Sequence, residues 1–265
     1  MKAFSRALIT VAAVALCLAL GGRAWAYTPG AGITGTTHDF STSSSLIEPV
    51  GQCTFCHTPH FALSTTLLWN HKYSGSTYQW DVLSTTAGTT YPTFSDTTWN
   101  GPSAKCLSCH DGTVAEGAVN FFAGTSPPIL NPSLVGILSL NTTNLGTAQQ
   151  TTSLQGFHPI AMPYPWGQVQ NTYNNVTTGA EFYPSQWFSP PKGNIRLWQQ
   201  NGTTISLGYN GSTGAVSPTL AANAGIECTS CHDVHNKLVV DSSNYLVGMH
   251  TGSGSTYICT MCHNK

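Results

Sequence analysis

The sequence predicts a fold of few short helices and mostly loops, with one small β-hairpin near residues 194–208, packed around bound groups rather than around a conventional side-chain core. Only 16 of the last 239 residues carry a formal charge, against about a quarter in ordinary globular domains. No segment shows a sustained apolar repeat at i, i+3, i+4 and i+7, the pattern of long amphipathic helices. The cysteines, finally, recur in four copies of one short motif.

The chain begins with the features of a secretory signal peptide, so its first 26 residues are expected to be removed. Lys2 and Arg6 form a basic head, an apolar run covers Ala7–Leu20, and Ala24-Trp25-Ala26 supplies small residues at the cleavage site. The mature chain is therefore expected to start at Tyr27 and to be exported, either to the periplasm or to the cell surface and beyond.

No membrane span is predicted. The apolar run of the leader is about 14 residues long, too short to cross a hydrocarbon core about 30 Å thick, and no later stretch reaches 18 apolar residues. A lipid anchor on Cys17 is disfavoured because Leu16 stands where a lipoprotein signal needs a small residue.

The mature chain has a modest negative charge. Removing Lys2, Arg6 and Arg23 with the leader leaves six of the nine Lys and Arg residues against ten Asp and Glu residues, a net charge of −4. A nucleic-acid partner is not expected, because phosphate binding needs clustered lysine and arginine. Export also places the chain where spare thiols are oxidised, so every cysteine needs a role.

The eight cysteines after the leader form four copies of a Cys-x-x-Cys-His motif, and none is left over. The copies are Cys53-Thr-Phe-Cys56-His57, Cys106-Leu-Ser-Cys109-His110, Cys228-Thr-Ser-Cys231-His232 and Cys259-Thr-Met-Cys262-His263. This motif is typical of c-type haem attachment, in which two thiols add to the porphyrin vinyl groups and the histidine is an axial ligand of the iron. The sequence therefore predicts four covalently attached haem c groups.

Zinc binding and disulfide bonds are the alternatives. Two Cys-x-x-Cys pairs can hold a structural zinc ion, but a zinc site does not need a histidine directly after each pair. All four pairs here have one. We therefore expect His57, His110, His232 and His263 to be the proximal ligands of four irons.

Six further histidines are available for the sixth position of those irons. They are His38, His60, His71, His158, His235 and His250. Methionine is the usual rival ligand, but the mature chain has only Met162, Met249 and Met261, the last inside a haem motif. Coordination by two histidines at every iron is therefore predicted, with low reduction potentials.

Three of these histidines have a favourable local context. His60 and His235 each lie three residues after a proximal histidine, a spacing that suits one imidazole for its own haem and another for a neighbouring haem. It implies closely paired haems. His158 precedes Pro159, which holds the backbone extended, a useful property for a ligand that arrives from a long loop.

The other three are less clearly marked. His38 lies on an N-terminal arm rich in glycine and threonine, which has little reason to be ordered unless something holds it. His71 follows Leu68-Trp69-Asn70, and His250 stands near two glycines. We expect His38 and His71 to be distal ligands and regard His250 as the weakest candidate.

The motifs divide the mature chain, a single tetrahaem domain over residues 27–265, into two clusters. They lie at 53–110 and 228–263, separated by a cysteine-free region, 111–227, that is rich in Thr, Ser, Asn, Gly and Pro. Repeated prolines interrupt any long helix or central strand there. Alternating apolar residues around Asn201-Gly202 predict the one hairpin.

About 60 mature residues per haem leave little room for a protein core, so porphyrin faces are expected to replace it. Helices should be one or two turns long and carry the haem motifs. Without haem, the chain is expected to be largely disordered.

The ordered set of motifs resembles the exported multihaem c-type cytochromes of metal-respiring bacteria. The resemblance rests on Cys53 to His60, Leu68 to His71, Lys105 to Thr113, His158-Pro159 and Cys228 to His235. Within that family the closest likeness is to the tetrahaem cytochromes that polymerise into conductive extracellular filaments, or nanowires. The last 36 residues with motifs, Cys228 to His263, resemble the family's paired haem motif.

The resemblance implies electron conduction through a continuous haem chain, in a head-to-tail homopolymer with one iron at each joint ligated from the next subunit. Its partners would be other cytochromes or extracellular electron acceptors. The surplus histidines, the N-terminal arm and the low surface charge favour such assembly.

The alternatives are a soluble periplasmic tetrahaem carrier, a multihaem redox enzyme such as a nitrite or hydroxylamine converting protein, and a haem-bearing sensor. An enzyme would need an iron with an open sixth position, so catalysis is not expected.

Overall fold

The computed structural model describes about half of the chain. The described residues are 28–42, 51–60, 62, 66–76, 78, 101–111, 154, 158–166, 173–175, 187–188, 190–201, 204–210, 215–216, 223–241, 245–249 and 257–264. The predicted signal peptide and His250 lie outside them. All eight motif cysteines and the nine other histidines lie within them.

Three α-helices occur in the described part of the chain, and each carries one Cys-x-x-Cys-His motif. They are α1 (Pro102–His110), α2 (Cys228–Cys231) and α3 (Ile258–Cys262). Helix α1 begins at a proline, a residue whose fixed φ and missing N–H suit the first helical position. The first motif lies in a run of turns, and short 3₁₀ turns occur at Phe40–Thr42, Thr66–Leu68 and Tyr173–Asn175.

The strands form one antiparallel sheet in the order β1-β5-β2-β3-β4. They are β1 (Met162–Pro163), β2 (Arg196–Asn201), β3 (Thr204–Asn210), β4 (Ala215–Val216) and β5 (Ala224–Ile226). Pro163 lies in the edge strand β1, where the missing N–H costs no ladder hydrogen bond. The last strand, β5, leads within two residues into the motif helix α2, so the sheet fixes where that motif begins.

The hairpin is present but is larger than the sequence indicates. Strand β3 continues two residues beyond the predicted end at 208, and β2 also pairs with β5. The register shifts opposite Leu197 and Trp198, so Tyr209 faces Leu197 while Leu207 faces Trp198. Gly208 is the extra residue of this bulge. Tyr209 is therefore buried, whereas Leu207 is 47% exposed.

A side-chain core exists, contrary to the expectation that haems would replace it. One buried cluster joins the sheet to the C-terminal motif and contains Tyr164, Ile195, Leu197, Tyr209, Ala224, Ile226, Val247, Met261 and Cys262. The sequence did not reveal it, because its members come from six separate stretches of the chain. A smaller cluster of Leu107, Leu154 and Ala161 lies under helix α1.

Among the described residues, no helix is long and apolar enough to cross a membrane.

Candidate haem sites

Three of the motifs share one local conformation. The backbone N–H of His57 donates to the Cys53 carbonyl, that of His232 to Cys228 and that of His263 to Cys259, at 2.8–2.9 Å. This bond closes a single helical turn. The turn places the two cysteines on the same side of the helix, and the histidine follows directly after it. The chain then leaves in extended conformation, as at His232 (φ −109°, ψ 137°) and His263 (φ −87°, ψ 127°).

Each of these three proximal histidines is also fixed by a β-bridge to a distant segment. His57 pairs with Trp69, His232 with Leu246 and His263 with Trp187. The two tryptophans pack their rings on the histidines that they pair with, Trp187 at 4.2 Å from His263 and Trp69 at 5.9 Å from His57 between ring centroids. The motif histidines are therefore anchored from outside their own turn.

Three proximal histidines face a second histidine. The ring centroids are 6.3 Å apart for His57 and His235, 5.9 Å for His110 and His38, and 6.4 Å for His263 and His158. In each pair one member follows a Cys-x-x-Cys motif and the other is a predicted distal ligand. The sequence predicted both sets, but it could not predict which distal histidine belongs to which motif.

The separation within these pairs fits an iron between two imidazoles. A metal–nitrogen bond of about 2 Å on each side, with about 1.2 Å from each nitrogen to its ring centre, gives about 6.4 Å between the centroids. Among the described residues, no group of three or more His, Cys, Asp and Glu side chains could hold a metal ion. A haem iron needs only two protein ligands, because the porphyrin supplies the other four. The residues present therefore fit haem.

The protonation of the rings also suits metal binding. Burial, followed by the neighbouring His110, lowers the pKa of His38 to about 4. Desolvation by neighbouring protein atoms is likewise the main reason that the pKa values of His110, His158 and His235 lie below their ordinary range. These imidazoles stay neutral near pH 7, the form that binds iron.

Backbone carbonyls fix the ring orientation of two of these histidines. The Nδ1 atom of His57 donates to the Leu67 carbonyl, and that of His158 to the Pro159 carbonyl at 2.9 Å. Such a bond leaves Nε2 as the metal-binding nitrogen. Leu67 and Leu68 both have positive φ, 62° and 51°, a conformation that costs about 1–2 kcal/mol per residue. This strained turn aims the Leu67 carbonyl at His57.

His235 is presented by a loop organised around the buried Asp233. The Asp233 carboxylate accepts hydrogen bonds from the backbone N–H groups of His235, Lys237 and Leu238, and Arg196 lies 3.4 Å from it. The loop leaves the His235 side chain 63% exposed beside His57.

The N-terminal arm, residues 28–42, docks on its own chain. Asn236 accepts a hydrogen bond from the Gly30 N–H and donates to the carbonyls of Thr28 and Gly32. Tyr245 accepts a hydrogen bond from the Thr37 N–H and packs edge-on against His38 at 5.0 Å. The arm therefore holds His38 beside His110 of the same chain.

Of the remaining candidates for distal ligands, His60 and His71 lie within the described residues and His250 lies outside them. His60 is exposed, and no described ring contacts it. His71 is buried, its Nδ1 donates to the Lys72 carbonyl at 3.0 Å, and its ring lies 6.4 Å from Phe55 inside the first motif. Their assignment as ligands stays a prediction.

The thiols show how the motifs adjoin one another. None of the eight cysteines forms a disulfide bond. A hydrogen bond with Cys106, and then burial, hold the pKa of Cys228 well above its ordinary value. Burial, with smaller contributions from Cys228 and Cys259, raises the pKa of Cys231 to about 12. The third motif therefore lies between the second and the fourth.

Several residues of this region carry no signal that sequence reasoning used. Asn236 and Tyr245 hold the arm across more than 200 residues of chain. Glu227 joins two motif helices, and its spacing from Ser230 is the reverse of the usual capping box, in which the acid follows the hydroxyl. A search for capping patterns in both directions would have found that pair.

Neither a protein-family model nor a curated protein sequence matches this chain.

Proposed function

We propose that the chain is a tetrahaem c-type cytochrome that conducts electrons by outer-sphere transfer through haems ligated by two histidines each. One observation carries the proposal: three of the four motif histidines face a second, predicted distal histidine at 5.9–6.4 Å between ring centroids. A disulfide or zinc role for the cysteines gives no reason for this separation.

The residues of the chain have distinct tasks in this function. The paired cysteines would attach each haem, and the neutral imidazoles would bind its iron from both faces. The carbonyls of Leu67 and Pro159 keep two rings oriented. Haem, when bound, supplies the one-electron chemistry of its iron, while the protein sets spacing, potential and solvent access.

A role in conduction is favoured over catalysis. A multihaem enzyme needs one iron with an open position for substrate, whereas the rings of His38, His158 and His235 lie 5.9–6.4 Å from motif histidines and would supply a sixth ligand to three irons. The fourth iron, on His232, has His60, His71 and His250 as ligand candidates. The proposed protein is therefore not an enzyme.

We propose further that the cytochrome polymerises head to tail into an extracellular conductive filament that passes electrons to other cytochromes or to extracellular acceptors. The low charge of the chain supports assembly, because identical protomers repel one another weakly. The exposed His60 offers an imidazole at the surface of the described part of the chain. A soluble periplasmic carrier is the second candidate, favoured by the arm that docks within its own chain.

The mass of the secreted product tests the haem assignment. We expect the mass of the chain from Tyr27 plus four covalent haems, and no alkylation of the eight cysteines after denaturation and reduction. A C259S/C262S variant serves as the matched control and should lose one haem. A wild-type product that lacks haem and has eight alkylated cysteines would overturn the proposal.

A further inference from the structure

A buried carboxylate joins two of the motif helices. Glu227 is fully buried and is the residue before Cys228, at the N-terminus of α2. Its Oε2 accepts a hydrogen bond from the backbone N–H of Ser103 in the first turn of α1, at 3.1 Å. One side chain therefore reaches the N-terminal ends of two helices that carry different Cys-x-x-Cys-His motifs.

The connection between the two helices is reciprocal. The Ser103 hydroxyl accepts a hydrogen bond from the backbone N–H of Cys228 at 2.6 Å. Within α2, the Ser230 hydroxyl accepts the N–H of Glu227, and the Glu227 carboxylate accepts the N–H of Ser230. N–H groups in the first helical turn have no partner inside the helix, so each of these bonds satisfies a buried donor.

Tyr173 holds the second oxygen of the carboxylate. Its hydroxyl donates to Glu227 Oε1 at 2.7 Å, in a fully buried contact. Burial, and then the carboxylate itself, raise the pKa of Tyr173 well above its ordinary value, so the phenol keeps the proton that it donates. With both oxygens accepting hydrogen bonds, Glu227 has the environment of an ionised carboxylate.

A glycine makes room for this tyrosine. A Cβ atom on Gly225 would lie 2.2 Å from the Tyr173 ring, far inside van der Waals contact. Strand β5 therefore has glycine where the ring crosses it, two residues before Glu227. The arrangement around the carboxylate is thus built from β5, a 3₁₀ turn, α1 and α2 together.

We propose that Glu227 is a positioning residue that fixes the α1 and α2 motifs relative to each other and places a negative charge beside the two haems that they would carry. The inference rests on the proposed haem function. A buried anion stabilises the ferric state, which is the more positive one, and so lowers the reduction potential of a nearby haem. Because the Ser103 hydroxyl of α1 accepts the N–H of Cys228 in α2 at 2.6 Å, the two motif helices adjoin at Glu227 and one charge acts on both haems.

Two variants separate the charge of Glu227 from its hydrogen bonds. Glu227→Gln keeps an acceptor for Ser103 and a polar partner for Tyr173 but removes the charge. Tyr173→Phe keeps the charge and removes one hydrogen bond. We expect Glu227→Gln to retain four low-spin haems and to shift two of the four midpoint potentials of the secreted holoprotein to more positive values in a spectroelectrochemical titration. Tyr173→Phe should shift them less.

Glu227→Ala removes both the charge and the bonds, so it should also weaken the exciton coupling between the two haems in Soret circular dichroism. If this variant is not secreted, the other two still decide the question. Four low-spin haems in Glu227→Gln with wild-type potentials, or equal shifts in Glu227→Gln and Tyr173→Phe, would overturn the inference and leave the proposed function intact. A wild-type product without haem would overturn the proposed function itself.

Discussion

At the scale of single residues, the histidines differ in what surrounds their rings. His158 donates from Nδ1 to a backbone carbonyl, has a pKa lowered mainly by desolvation, and faces a motif histidine. His60 has an exposed ring that no described ring contacts. The histidine-proline sequence predicted that His158 would arrive in extended backbone, but nothing local to either residue distinguishes their surroundings. The difference arises from segments that meet only in the folded chain.

His158 provides a direct test of ligand pairing. His158→Ala should convert one of the four low-spin irons to high spin, because His263 would lose the imidazole that faces it. His158→Met should keep that iron six-coordinate and raise the potential of one haem only, since thioether ligation favours the ferrous state. Electron paramagnetic resonance and a redox titration measure both effects. Four unchanged low-spin irons in His158→Ala would show that this pair does not bind a shared iron.

At the scale of secondary structure, the hairpin shows which strands an alternating sequence pattern can locate and which it cannot. Alternation around Asn201-Gly202 locates β2 and β3, because a run of five or more residues shows which side chains share a face. It does not locate β1, β4 and β5, since two or three residues are too few to alternate. The alternating pattern does not predict the bulge at Gly208 either. Because of this bulge, Tyr209 rather than Leu207 packs in the core.

The hairpin contains two leucines, Leu197 and Leu207, that differ in burial because of the bulge and so provide matched variants. Leu197→Ala should lower the free energy of unfolding by about 2–5 kcal/mol, because Leu197 is fully buried in the cluster beside the sheet. Leu207→Ala should change it by no more than about 0.5 kcal/mol, since that side chain is 47% exposed. Guanidinium unfolding followed by far-ultraviolet circular dichroism compares them. Equal losses of unfolding free energy in the two variants would mean that Leu197 and Leu207 do not differ in burial as described.

The side-chain amide of Asn236 is one of the anchors of the N-terminal arm, together with the Tyr245 hydroxyl. Asn236→Ala should loosen the arm, residues 28–42, because Asn236 makes three hydrogen bonds to it. Limited proteolysis should then cut the arm faster than in the wild type, and one iron should lose its low-spin signal as His38 leaves His110. Lys237→Ala is the control, since that side chain is exposed and only its backbone N–H is used. Equal cleavage rates in the two variants would contradict this role of Asn236.

At the scale of the whole molecule, the third motif connects the others. Its cysteines adjoin Cys106 on one side and Cys259 and Cys262 on the other, and His235, three residues beyond its histidine, faces His57. The linear order of motifs in the sequence gave no indication that the third would be central. Haems attached at these positions would lie close together around it, which favours rapid exchange of electrons among all four.

Assembly can be tested separately from haem ligation. His38 serves its own chain in the structure, so His38→Ala should convert one iron to high spin and still form whatever polymer the wild type forms. Electron microscopy of secreted holoprotein distinguishes fibres from single particles. Wild-type fibres that disappear in His38→Ala would instead place this histidine at the joint between subunits, and wild-type single particles would favour the periplasmic carrier.

The docking of the arm also bears on the order of events during secretion. Thr28 and Thr37 are fastened by Asn236 and Tyr245, more than 200 residues further along the chain. A polypeptide exported from its amino end presents the arm first and these anchors almost last, and contacts of such long sequence separation form late. In the proposed export, His38 would therefore be held beside His110 only after most of the chain has crossed, so the closing of this pair would mark a late stage of maturation.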